Sequence, residues 1–200
     1  NLLNEPSLSL KEFVDKIASL PLAFQPGEAW RYSVSIDVLG IILEVLEGKR
    51  LEEILRDLIF DPLGMNETSF FLDQSKSERL MPMHGTNNFN ELISLNQKDL
   101  IVVDIEKTHP SQGLNIHERG GGGLFSTVKD YQLFCKFLLD RNDKEGSPLI
   151  SSMMHSFMLK NRIQKNLLPL KLGPRLLDGY GWNLIGRVMI DNSQAMSLTN

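Results

Sequence analysis

The sequence predicts an α+β chain, mostly helical with a few strands. Three observations carry this. Apolar residues recur at helical spacing through residues 9–59, a capped helix follows a run of four glycines, and Gly179-Tyr180-Gly181-Trp182 opens a strand near the end. With 200 residues, 42% of them hydrophobic, the chain can bury a real core as one domain, or as one domain with a small excursion.

The elements follow in order. Ser9 with Glu12 three positions on forms a capping box, and Phe13, Ile17 and Leu20 continue at helical spacing, so a helix runs from Ser9 to about Ser19 and stops at Pro21. Gln25-Pro26-Gly27-Glu28 places Pro and Gly at the centre of a type II turn. A second helix from about Ser33 to Glu47 has few charges, with Gly48 as its C-terminal stop and Ser33 as its cap, and is expected to be largely buried. Leu51–Ile59 reads as an amphipathic third helix with Leu51, Ile54, Leu55 and Leu58 inward and Glu52, Glu53, Arg56 and Asp57 outward, ended by Asp61-Pro62-Leu63-Gly64.

From Leu72 to Arg119 the sequence is polar and irregular, with Leu100–Ile105 as its one clear strand. After Gly120-Gly121-Gly122-Gly123, Thr127 and Asp130 cap each other reciprocally at the start of a helix to about Asp140. Ser151–Leu159 is a further helix, and the strand opened by Gly179 continues through Leu184 to Val188 and Ile190.

Composition removes several functions. Twenty-one basic against 25 acidic residues, a net charge of −4, leave no cationic field for phosphate backbones, so nucleic acid is not an expected partner. The longest apolar runs, such as Gly40–Leu43, fall far short of the roughly 18 residues that cross a bilayer. Cys135 has no second cysteine to pair with, and His84, His109, His117 and His155 share no metal-ligand spacing. No metal or cofactor is expected. Nothing in these features selects a compartment, and because the chain begins Asn-Leu-Leu, a natural start or leader is expected upstream.

Four blocks stand out: Pro26-Gly27-Glu28-Ala29-Trp30-Arg31-Tyr32-Ser33 with Leu39–Glu44, then Pro62–Phe70, then Gly121–Thr127 with Asp130, and Gly179–Trp182. In this order they resemble the serine β-lactamase-like family of class C β-lactamases, D-Ala-D-Ala carboxypeptidases and related esterases. The resemblance covers about half of the chain. It implies a helical domain beside an antiparallel sheet, with this chain as the central part of a larger hydrolase domain. The helical part then spans about residues 1–160, and the return to the sheet about 179–200.

The resemblance also implies a mechanism, in which serine attacks an ester or amide carbonyl and lysine and tyrosine move the proton. Tyr32 matches the tyrosine of the second motif and is the candidate catalytic residue. A phenol titrates near ~10 and becomes a useful base only where a nearby ammonium and a helix N-terminus stabilise its anion. Gly121 and Gly122 are implied to lie at the substrate site, as is Val34, which stands where β-lactamases of the family carry an asparagine. Valine cannot make the amide's hydrogen bond, so esterase-like activity is favoured over β-lactamase or carboxypeptidase activity. The expected substrate is a small ester, β-lactam or peptide.

Ser126-Thr127-Val128-Lys129 is the only Ser-x-x-Lys in the chain, and it follows Tyr32 whereas the family's nucleophile precedes it. It is read as a helix start, with the true nucleophile expected upstream of Asn1 and the third motif beyond Asn200. These 200 residues alone are then expected to be inactive. The alternative is a non-catalytic binding or scaffolding domain of the same fold. Trp30 and Trp182 are structural or line the cleft.

Overall fold

A computed structural model describes residues 9–81, 84–86, 92–94, 118–173 and 175–195. Helix α1 (Leu10–Ala18) has the expected capping box. Glu12 N–H donates to Ser9 Oγ at 3.3 Å, and Ser9 N–H donates to the Glu12 carboxylate at 2.9 Å. The Pro-Gly turn follows, with Glu28 N–H donating to Gln25 O at 3.1 Å and Gly27 at φ 89°. Helix α2 (Ser35–Glu47) starts two residues later than expected. Val34 rather than Ser33 occupies its N-cap and makes no side-chain bond there, while Gly48 ends the helix at φ 64°.

Helix α2 is not largely buried. Asp37 and Gly40 are its buried residues, whereas Val45 and Leu46 are 76% and 74% exposed, and Ile36, Leu39 and Ile42 also face outward. The reason lies in what it packs on. Helix α1, helix α3 (Leu51–Leu55) and the glycine run all meet the face carrying Gly40, where an added Cβ would approach Leu51, Leu10 and Gly120 N.

Helix α3 leads into a π-helical turn (Arg56–Phe60) and then the short α4 (Asp61–Leu63), capped by Gly64 at φ 76°. The expected faces of this segment are corrected in two places. The π turn inserts a residue into the helical period, which turns Leu58 outward, 61% exposed, and brings Phe60 in. Glu52 is buried instead of solvated, because its carboxylate accepts Phe70 N–H at 2.8 Å and Arg56 Nη2 at 2.6 Å.

Beyond a 3₁₀ segment (Gln74–Arg79), strands β1 (His84–Thr86) and β2 (Leu92–Ser94) pair antiparallel. The expected Leu100–Ile105 strand lies outside the described residues. Helix α5 (Val128–Asp140) is capped by Thr127 Oγ1, which accepts Asp130 N–H at 3.1 Å. The reciprocal half of that cap is absent. The Asp130 carboxylate turns instead to Glu67 N–H at 2.8 Å and Thr68 Oγ1 at 2.9 Å, so it joins α5 to the turn after α4. Helix α6 (Ser152–Leu159) is capped by Ser151 as expected.

Two hairpins follow, β3 (Leu170–Leu172) with β4 (Arg175–Leu177), and β5 (Tyr180–Trp182) with β6 (Arg187–Met189). The single strand expected after Gly179 is thus a hairpin. Asn183 makes its turn, accepting Ile185 and Gly186 N–H on Oδ1 at 2.8 Å each. Three apolar clusters result. Leu10, Leu51 and Phe70 form one, Phe60, Leu63, Met65 and Phe137 a second, and Leu170, Leu177 and Tyr180 a third, against which Trp30 and Trp182 pack.

Candidate active site

Tyr32 lies three residues before α2 and is 63% exposed, on the wall of an open cleft of about 760 Å³. Residues 24–37 form one side of this cleft, and Arg119, Gly121 and Trp182 complete it. The aromatic rings are in contact. Trp182 meets Trp30 with ring centroids 5.1 Å apart and Tyr32 edge-on at 5.9 Å.

Trp182 is held from behind. Its N–H donates to Asn161 Oδ1 at 3.1 Å and its carbonyl accepts Arg162 N–H at 2.7 Å. Asn161 Oδ1 also accepts Ile163 N–H at 3.1 Å. Gly181 makes this fit possible, since a Cβ there would overlap the Asn161 amide.

The cleft wall at the start of α2 is tied together by charge. Asp37, 2% exposed in the first turn of α2, accepts Arg119 Nε at 3.0 Å and Gly121 N–H at 3.3 Å. The Arg119 guanidinium also covers the Phe13 ring of α1 at 4.6 Å from its centroid. Next to it, the buried Glu118 accepts Arg50 Nε at 2.7 Å and Glu52 N–H at 2.8 Å, an anion set on the N-terminus of α3. That bond holds the Arg50 guanidinium above its ordinary range.

Of the four candidate site residues, Tyr32, Val34 and Gly121 line this cleft. The Gly121 amide points at Asp37, so this glycine serves the wall through its small size and its bond to α2. Gly122 closes the turn by donating its N–H to Arg119 O at 3.3 Å and is not among the cleft-lining residues. Ser126 stands apart, with its hydroxyl 2.8 Å from Thr68 Oγ1. Asp37 and Arg119 join this wall without standing out in the sequence as site residues. The available signal was a lone aspartate in the first turn of an otherwise apolar helix, three residues after Val34.

The sequence matches the Beta-lactamase family over residues 2–188. The chain belongs to that family. Protein Rv1367c of Mycobacterium tuberculosis is 30% identical over 74% of this chain and 34% of its own length. A lovastatin esterase of Penicillium rubens is 28% identical over 67% of this chain and 32% of its length. The chain therefore spans about a third of the length of these Beta-lactamase relatives. Among solved structures, EstCE1, a hydrolase with promiscuous acyltransferase activity, superposes with a TM-score of 0.74 at 21% identity. The superposition covers 97% of this chain and 49% of that one, and it shows the α+β fold of the family.

Proposed function

We propose that the full-length protein is a serine hydrolase that cleaves small esters through an acyl-enzyme, with Tyr32 as its proton-transfer residue. The observation that carries this is the position of Tyr32, at the foot of α2 in a cleft walled by Trp30, Trp182 and the glycine turn. On this reading the nucleophilic serine and its lysine are contributed by the rest of the full-length protein. Serine attacks the ester carbonyl, Tyr32 and the lysine relay the serine proton to the leaving alcohol, and water then releases the acyl group. The relatives support the ester: one is named a lovastatin esterase, and the superposed EstCE1 a hydrolase with acyltransferase activity.

Val34 favours the same substrate class. It lines the cleft with an apolar side chain, and a β-lactam or peptide amide left unmatched against it costs about 1 to 3 kcal/mol. Simple esters carry no such amide. In the full-length protein, Tyr32→Phe is expected to lower aryl-ester turnover by roughly 10² to 10⁴ without loss of folding. Unchanged turnover removes Tyr32 from the mechanism. Aryl esters are expected to exceed nitrocefin and a D-Ala-D-Ala peptide in kcat/KM, and a tenfold advantage for either rival replaces the esterase reading.

A further inference from the structure

We propose that Asp37 and Arg119 form a positioning pair for the hydrolytic reaction, fixing the backbone that presents Tyr32 to the cleft. The proposal rests on the assignment of Tyr32 as the proton-transfer residue. Asp37 is the third residue of α2, and its N–H donates to Val34 O at 3.0 Å, so it belongs to the helical turn into which the Tyr32 segment feeds. Its carboxylate is nearly enclosed, yet it receives two donors from a segment 82 to 84 residues away.

That segment approaches α2 closely because its glycines lack a Cβ. A Cβ on Gly120 would overlap the Ile36 carbonyl, and a Cβ on Gly121 would stand 3.0 Å from Asp37 Oδ2. Backbone thus lies directly on backbone, with the Asp37–Arg119 ion pair and the Gly121 N–H bond to Asp37 as polar links across the contact. Arg119 carries the link onward to Phe13, and Glu118 anchors the same segment to α3. The start of α2 is tied to the Arg119–Gly121 segment, while Tyr32 itself is largely exposed with its ring against Trp182. A shift of the α2 start moves the phenol relative to the rest of the cleft, and misplacement of about 1 Å in a catalytic group can cost 10²-fold in rate.

The test uses the full-length protein and an aryl ester, with kcat, KM and thermal unfolding measured for Tyr32→Phe, Asp37→Asn, Arg119→Lys and the Asp37→Asn/Arg119→Lys double variant. Each single variant of the pair is expected to lose about 10- to 100-fold in kcat with KM within about threefold. The double variant should be no worse than the poorer single one, since the two residues act as a unit. The proposal is overturned if Asp37→Asn lowers the unfolding temperature but keeps kcat, or raises KM alone. If Tyr32→Phe loses activity and the pair variants do not, the pair fails and the Tyr32 assignment stands. If Tyr32→Phe keeps full activity, the assignment fails and this proposal with it. Should Asp37→Asn yield no folded protein, Arg119→Lys decides by the same kcat criterion.

Discussion

Trp182 stands edge-on to Tyr32, 5.9 Å between ring centroids, although one residue precedes α2 and the other ends a strand near the opposite end of the described chain. An edge-to-face pair of this kind is worth about 0.5 to 1.5 kcal/mol beyond its buried area. Trp182 also lines the cleft, and an aromatic contact of similar size to a bound aryl ester would be lost in Trp182→Leu, which in the full-length protein is expected to raise KM by roughly threefold to tenfold, with a smaller change in kcat. A variant with unchanged KM would show that the indole does not meet the substrate.

The glycine run offers a contrast within one turn. Gly120→Ala forces a methyl group into the Ile36 carbonyl and is expected to destabilise the protein by about 1 to 3 kcal/mol in a urea titration. Gly122→Ala meets nothing within 4 Å and should change stability by no more than about 0.5 kcal/mol. Equal effects at the two positions would contradict the close approach at Gly120.

Much of the first half of the fold is local in origin and was legible. The Ser9–Glu12 box, the Pro26-Gly27 turn and the stops at Gly48 and Gly64 depend on neighbours a few residues away. What escaped depends on distant partners. Glu52 and Asp130 read as solvated and capping carboxylates, but each is buried because a backbone amide far along the chain needs an acceptor, and Asp37 is buried for the same reason. The exposed face of α2 escaped for the opposite reason, since an apolar pattern shows the capacity for burial and not the presence of a partner.

Glu52 provides a test of that lesson. Glu52→Gln keeps the shape but weakens the acceptor shared by Phe70 N–H and Arg56, and is expected to cost roughly 1 to 3 kcal/mol in denaturant unfolding. A neutral result would mean that the carboxylate is dispensable in the Leu51 and Phe70 core.

Ser126→Ala separates sequence motif from function. Its hydroxyl bonds Thr68 and has no place in the cleft around Tyr32, so the variant should retain full esterase activity in the full-length protein. A loss of a hundredfold or more would identify Ser126-Thr127-Val128-Lys129 as the nucleophile motif after all.

Glu67 predicts an acid response. Its carboxyl is held below the usual 4.5, first by Lys76 and then by Arg79, with ion pairs of 3.3 and 3.0 Å. Because the folded-state value is lowered, the stabilisation is present above the unfolded value and is lost as pH falls through the folded one. The Glu67 carboxyl, followed by NMR, should titrate below 4.5, and Lys76→Met should move its midpoint upward. A wild-type midpoint at or above 4.5 would deny the contact.

The π turn at Arg56–Phe60 acts as a phase shifter along one continuous rod. Before it, Leu51 points into the cluster with Leu10 and Phe70; after it, Phe60 and Leu63 point into the cluster with Phe137. An uninterrupted 3.6-residue period could not aim both sets correctly. Homologues sharing this arrangement should therefore tolerate exchanges of side chain between Leu51 and Leu63 more readily than a change of length by one residue. A single deletion there would rotate everything downstream by about 100° and leave one of the two clusters without its floor.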